Sequence, residues 1–164
     1  MGAYTTLGFA VIVVLYTTIG LLAAAGAISI AQRTFKPKAE QVFYGMFLIL
    51  IAAFYLAFVA YFGNAAAWRP EATAVLAFAV IGVLGVRLPI ALVFGYALHG
   101  LWDLLHELQA HSAYSFEPAQ LTAVPLAYGA FCLAFDVCVA VYSHRRRAVW
   151  GKAWTARRKP CSGR

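Results

Sequence analysis

The chain has 164 residues, of which 63% are hydrophobic and only 12% charged, with a formal net charge of +7. This composition and a mean hydropathy of +0.77 exclude an ordinary soluble domain and point to an integral membrane protein. Cys132, Cys138 and Cys161 are odd in number, and no disulfide framework follows from them.

Apolar runs of about 20 residues, the length that crosses a bilayer as a helix, recur along the chain. The pattern predicts an all-α, polytopic bundle of five transmembrane helices in residues 1–144. The first span covers about residues 4–30 and ends at the polar cluster QRTFKPK; with no charged segment before it, it is read as a retained helix. The second covers about 40–62 and is closed by Gly63, Asn64 and Pro70, which are turn and breaker residues. A shorter third span, about 71–86, meets the tight turn Arg87-Leu88-Pro89, where proline suits the first turn of the next helix. The fourth is expected at about 89–108 and the fifth, after the polar loop AHSAYSFEP, at about 119–143, with Pro125 kinking it near its start. Gly20 and Ala24, and Gly82 and Gly85, suit close helix contact.

Charge supports the count. With five spans, Arg33, Lys36, Lys38, Arg87 and every basic residue from Arg145 onward fall on one side, which is twelve of the thirteen. Arg69 alone falls opposite. The positive-inside rule then places the N-terminus outside and the C-terminus in the cytoplasm, as in a multi-pass protein of the inner (plasma) membrane. Residues 145–164 form a basic tail in which Trp150 and Trp154 are interleaved with arginine and lysine. Next to a span, such residues attract anionic lipid headgroups, at about 1 kcal/mol each near the surface. Membrane lipid is therefore the expected partner of the tail, and nucleic acid is not.

Polar chemistry concentrates in HGLWDLLHELQAH, residues 99–111. His99, Asp103 and His106, at offsets of four and seven, fall within an arc of about 60° on one helix face. Trp102 and Tyr96 flank this stripe, and Gly95 and Gly100 leave room for a neighbouring helix. Facing lipid would strand two imidazoles and a carboxyl in hydrocarbon, so the stripe is expected to face the bundle interior.

Three functions compete for it. The groups can hydrogen-bond to one another and fix helix packing. They can bind a divalent metal such as zinc or iron, with His99, Asp103 and His106 as ligands and His111 as a further donor from the outer loop. Or they can form a proton path that Asp136 of the fifth span extends. An ion pair between Asp136 and Arg87 is the structural alternative, because a fifth helix starting near residue 119 would carry Asp136 about 10 Å deeper than His99. His106-Glu107 followed by His111 is one residue too long for the H-E-x-x-H zinc motif, since an offset of five turns His111 about 140° away. Bis-histidine haem ligation fails because His99 and His106 share a face.

HGLWDLLH, from His99 to His106, followed one helix later by Asp136, resembles the signature of a family of small uncharacterised bacterial integral membrane proteins, a domain of unknown function. The likeness covers about residues 90–145. It implies a shared architecture and a functional polar stripe that includes Asp136. Where that family doubles the second histidine, this chain has Glu107, which leaves the ligand set open.

The expectation is a metal-dependent membrane enzyme acting on a lipid-soluble substrate that enters laterally, with Glu107 as catalytic acid or base. A non-catalytic accessory subunit of a larger membrane complex and a small proton-coupled carrier are the alternatives, with a homo-oligomer also compatible. Five spans without matched halves count against a carrier.

Overall fold

The computed structural model describes residues 6–111 and 121–156. Five long helices make up the fold: α1 (Thr6–Thr34), α2 (Pro37–Phe62), α3 (Trp68–Gly85), α4 (Pro89–His111) and α5 (Tyr128–Thr155). A short 3-10 turn, Ala65–Ala67, precedes α3. No strand occurs among the described residues. Three helical segments, Leu7–Thr34, Pro37–Phe62 and Ala65–Gly85, are long and apolar enough to cross a membrane. The buried polar groups of α4 and the basic run Arg145–Arg147 in α5 make those two helices less apolar.

Local chemistry explains the helix ends. Pro37 opens α2, where its missing N–H removes a donor that would lack a helical partner anyway. Gly63 closes α2 in the left-handed region at φ 68°, and its N–H reaches the Val59 carbonyl at 3.0 Å. The Asn64 side chain then accepts from the Ala66 N–H at 3.2 Å and starts the 3-10 turn. Between α3 and α4 the chain reverses within Val86-Arg87-Leu88, as the proline at residue 89 predicts.

The fifth helix differs from its expected bounds. Residues 121–127 are not helical, although they are apolar; Pro125 lies in this segment ahead of the helix and so does not kink it. Ala127, buried and left-handed at φ 58°, is the residue from which α5 departs. The helix then runs on through the basic residues to Thr155, so that part of the tail is a continuous extension of α5. That extension packs against the start of α2. Buried Glu40 accepts from Tyr142, from Arg146 Nε at 3.1 Å and from Trp150 Nε1 at 2.9 Å. Trp154 donates to Gln41 at 2.9 Å, and Gln41 donates to the Gly85 carbonyl at 2.7 Å. Trp150 is thus an interior anchor, not a side chain laid on a lipid surface.

α5 packs between α1 and α4, and α3 between α2 and α4. Small residues set these approaches. A methyl group at Gly45 or at Gly82 would lie 2.6 Å from the other residue's carbonyl oxygen, so α2 and α3 touch backbone to backbone. Gly20 meets the Phe131 carbonyl in the same way, which brings α1 against α5. Much of the outer surface of α1 is apolar, with Leu7, Val14 and Leu22 exposed.

Candidate metal centre

The stripe on α4 faces inward. His99 is 2% exposed, Asp103 0% and His106 1%. The side chains then diverge to different partners, and two groups result.

The first group is built on His99. Its Nδ1 lies 3.1 Å from Asp103 Oδ2, one turn along α4, and 2.7 Å from Asp136 Oδ2 on α5. Asp136 is itself 1% exposed. Tyr55, from α2, donates its hydroxyl to Asp103 Oδ1. The His99 ring packs edge-on against Phe78 of α3 at 4.9 Å, and its Nε2 is buried with no hydrogen-bond partner among the described residues. One ligand atom from each of His99, Asp103 and Asp136 lies within 4.8 Å of the other two.

Asp136 reaches this level because α5 starts at residue 128. It sits eight residues along the helix, about 12 Å from the start, instead of the roughly 25 Å that a start at 119 would give. Gly100 helps, since a methyl group there would already lie 3.3 Å from Asp136 Cβ. The alternative ion pair between Asp136 and Arg87 is therefore corrected. Arg87 is exposed and not buried, and its guanidinium lies 4.3 Å over the Trp154 ring.

The second group takes His106, which is corrected as a ligand alongside His99. His106 Nε2 meets Glu71 Oε1 at 2.7 Å and its Nδ1 meets the Trp102 carbonyl at 2.9 Å. Glu71 Oε1 also accepts the Thr122 N–H at 2.9 Å, tying the segment after α4 to α3. Tyr55 joins the two groups, because its ring lies 4.3 Å from the His106 ring while its hydroxyl holds Asp103.

Glu107, expected as an acid or base, accepts from the Gly129 N–H at 2.9 Å. It lines a cavity of about 570 Å³ between α1, α4 and α5, among Phe9, Val13, Leu104, Leu108 and Val137. His99 and Asp136 line a different cavity, of about 210 Å³, between α2 and α5. His111 ends α4, and its side chain lies outside the described residues, as does Cys161.

Electrostatics constrain the first group. Two carboxylates meet one imidazole nitrogen, and the sequence holds no lysine or arginine between Lys38 and Arg69 or between Arg87 and Arg145. Carboxylates this close repel unless a proton or a cation lies between them. One imidazole nitrogen and two carboxylate oxygens form a donor set that suits zinc, iron or manganese. Three protein ligands would leave a coordination position open, as in catalytic zinc sites. The donor set thus fits a divalent ion, with Asp136 in the place that His106 was expected to take.

Tyr55 and Glu71 were not singled out from sequence. Glu71 carried a usable signal, as one of six acidic residues in a strongly apolar chain. Tyr55, inside a long apolar run, carried none.

No curated protein and no solved structure matches the sequence. The profile described as a family of unknown function (DUF6010) matches residues 15–148, and the chain with this buried histidine and aspartate group belongs to that family.

Proposed function

We propose that the protein is a five-span enzyme of the inner membrane, with its N-terminus outside, that uses a divalent metal held by His99, Asp103 and Asp136 to act on a lipid-soluble substrate. The convergence of these three buried ligand atoms within 4.8 Å carries the proposal. A dication would neutralise two carboxylates beside a neutral imidazole without any arginine or lysine. Zinc or iron bound there would supply Lewis acidity. Tyr55 holds Asp103 in place through its second carboxylate oxygen. The cavity beside His99 and Asp136, between α2 and α5, supports lateral entry of such a substrate. Glu107 lines the other cavity and has no role in this scheme.

Elemental analysis of gently purified protein tests the proposal. Near-stoichiometric metal is expected in the wild type and in His106→Gln, with loss in His99→Ala, Asp103→Ala and Asp136→Ala. Metal-free wild-type protein, with metal-independent stability, rejects it. A small proton-coupled carrier is the second reading, supported by the run of buried polar groups from Asp136 to Glu71, in which Tyr55 hydrogen-bonds Asp103 and meets His106 by a ring contact. Proton flux in liposomes that is lost in Asp103→Asn would select the carrier.

A further inference from the structure

The cavity between α2 and α5 has walls unlike those of the larger cavity beside α1. Phe47 and Phe54 of α2 and Phe131 and Phe135 of α5 line it, together with His99 and Asp136 among others. The phenylalanines recur at offsets of seven on α2 and four on α5, so each pair occupies one helix face. Ring contacts already cross the gap, with Phe47 and Phe135 at 5.8 Å between centroids. At about 210 Å³ the space is smaller than a pocket that encloses a whole drug-sized molecule. It has room for one end of such a molecule.

Aromatic walls favour an occupant that offers its own ring, through offset or edge-to-face contacts at about 4.5–7 Å between centroids. Among these apolar walls, His99 and Asp136 place an imidazole and a carboxyl group. A ligand with a polar atom at its inner end satisfies both features. We propose that this cavity binds a planar, unsaturated ring bearing an oxygen, such as a phenol or an aryl ketone, with the oxygen inward at His99 and Asp136. The inference rests on the metal-dependent reading for the role of those two residues and adds the class of substrate.

Benzophenone, an aryl ketone that inserts into nearby C–H bonds under light, is the probe. The full chain in phosphatidylcholine vesicles is irradiated with it, and the attachment sites are mapped by mass spectrometry. Insertion is expected within residues 47–54 and 128–135. Excess 2-naphthol should lower it about fivefold, as ring contacts of roughly 1 kcal/mol would produce, whereas 1-decanol should not. Phe54→Leu and Phe131→Leu, each made separately at a partly exposed or exposed position, should lose the protection by naphthol. Insertion spread along the lipid-facing surface of α1, or equal competition by decanol, overturns the inference and leaves a simple acyl-chain groove.

Repeating the labelling after chelation and in Asp103→Asn separates the two proposals. Localised labelling in a protein that never holds metal rejects the enzyme alone. Unlocalised labelling in a metal-loaded protein rejects the ring-binding cavity alone.

Discussion

His106 and Glu71 meet at 2.7 Å with both side chains fully buried. The two ring nitrogens of His106 face the Glu71 carboxyl group and the Trp102 carbonyl. Removing either partner strands the other in the interior. His106→Ala is therefore expected to lower stability by about 3–5 kcal/mol, with Glu71→Ala similar. Replacing both by leucine should be much less damaging than the sum of the single changes. Denaturation in one detergent across the four proteins checks this, and additive losses would show that the two residues do not act as a pair.

Asp136 and Arg87 are expected to behave as unrelated residues. Arg87 lies over the Trp154 ring, with Lys38 at 5.0 Å from the same ring. Arg87→Ala should cost about 0.5–1 kcal/mol, the size of an exposed cation–π contact, and leave metal content unchanged. Asp136→Asn should empty the site, because the amide brings no charge to offset a dication. Metal loss in Arg87→Ala would tie the guanidinium to the Asp136 site after all.

How far the sequence could be read follows from what hydropathy measures. It reports where apolar residues run and where polar clusters interrupt them, so the first four helices emerged within a few residues of their ends. It does not separate an apolar extended segment from a helix. Residues 121–127 are apolar, and the left-handed backbone of Ala127, which delays α5 to residue 128, has no signature in an alanine. That error alone displaced Asp136 in depth and made Arg87 look like its partner. The inward stripe of His99, Asp103 and His106 was legible because helical periodicity and the desolvation of charge both demand it. Which helices face it was not, because periodicity describes one helix at a time. Hence Tyr55 and Glu71, contributed by α2 and α3, became visible only with the packing.

Tyr55 donates to Asp103 and lies outside the group of three residues that could hold a metal ion. Partners of this kind orient a ligand, and losing one typically weakens metal binding about 10–100-fold. Tyr55→Phe keeps the ring against His106 and removes only the hydroxyl. Affinity measured by chelator competition should fall within that range, while binding capacity at saturating metal stays the same. A reduced capacity would place Tyr55 among the ligands, and unchanged affinity would reduce its role to packing.

The contact between α2 and α3 is one where a single methyl group should matter for assembly of the bundle. Ala at residue 82 puts Cβ 2.6 Å from the Gly45 carbonyl and 2.7 Å from Ile49 Cγ1, and the backbone oxygen cannot move aside without shifting a helix. Gly82→Ala is expected to destabilise by about 1–3 kcal/mol, as overpacking does elsewhere. Gly26 provides the control, because a methyl group there meets nothing within 4 Å. Its replacement by alanine should be neutral or stabilising by up to about 1 kcal/mol, from helix propensity alone. Thermal unfolding of the two variants in the same detergent compares them directly. Equal stability would mean that α2 and α3 can separate without loss, which would also loosen Tyr55 and Phe78 around His99.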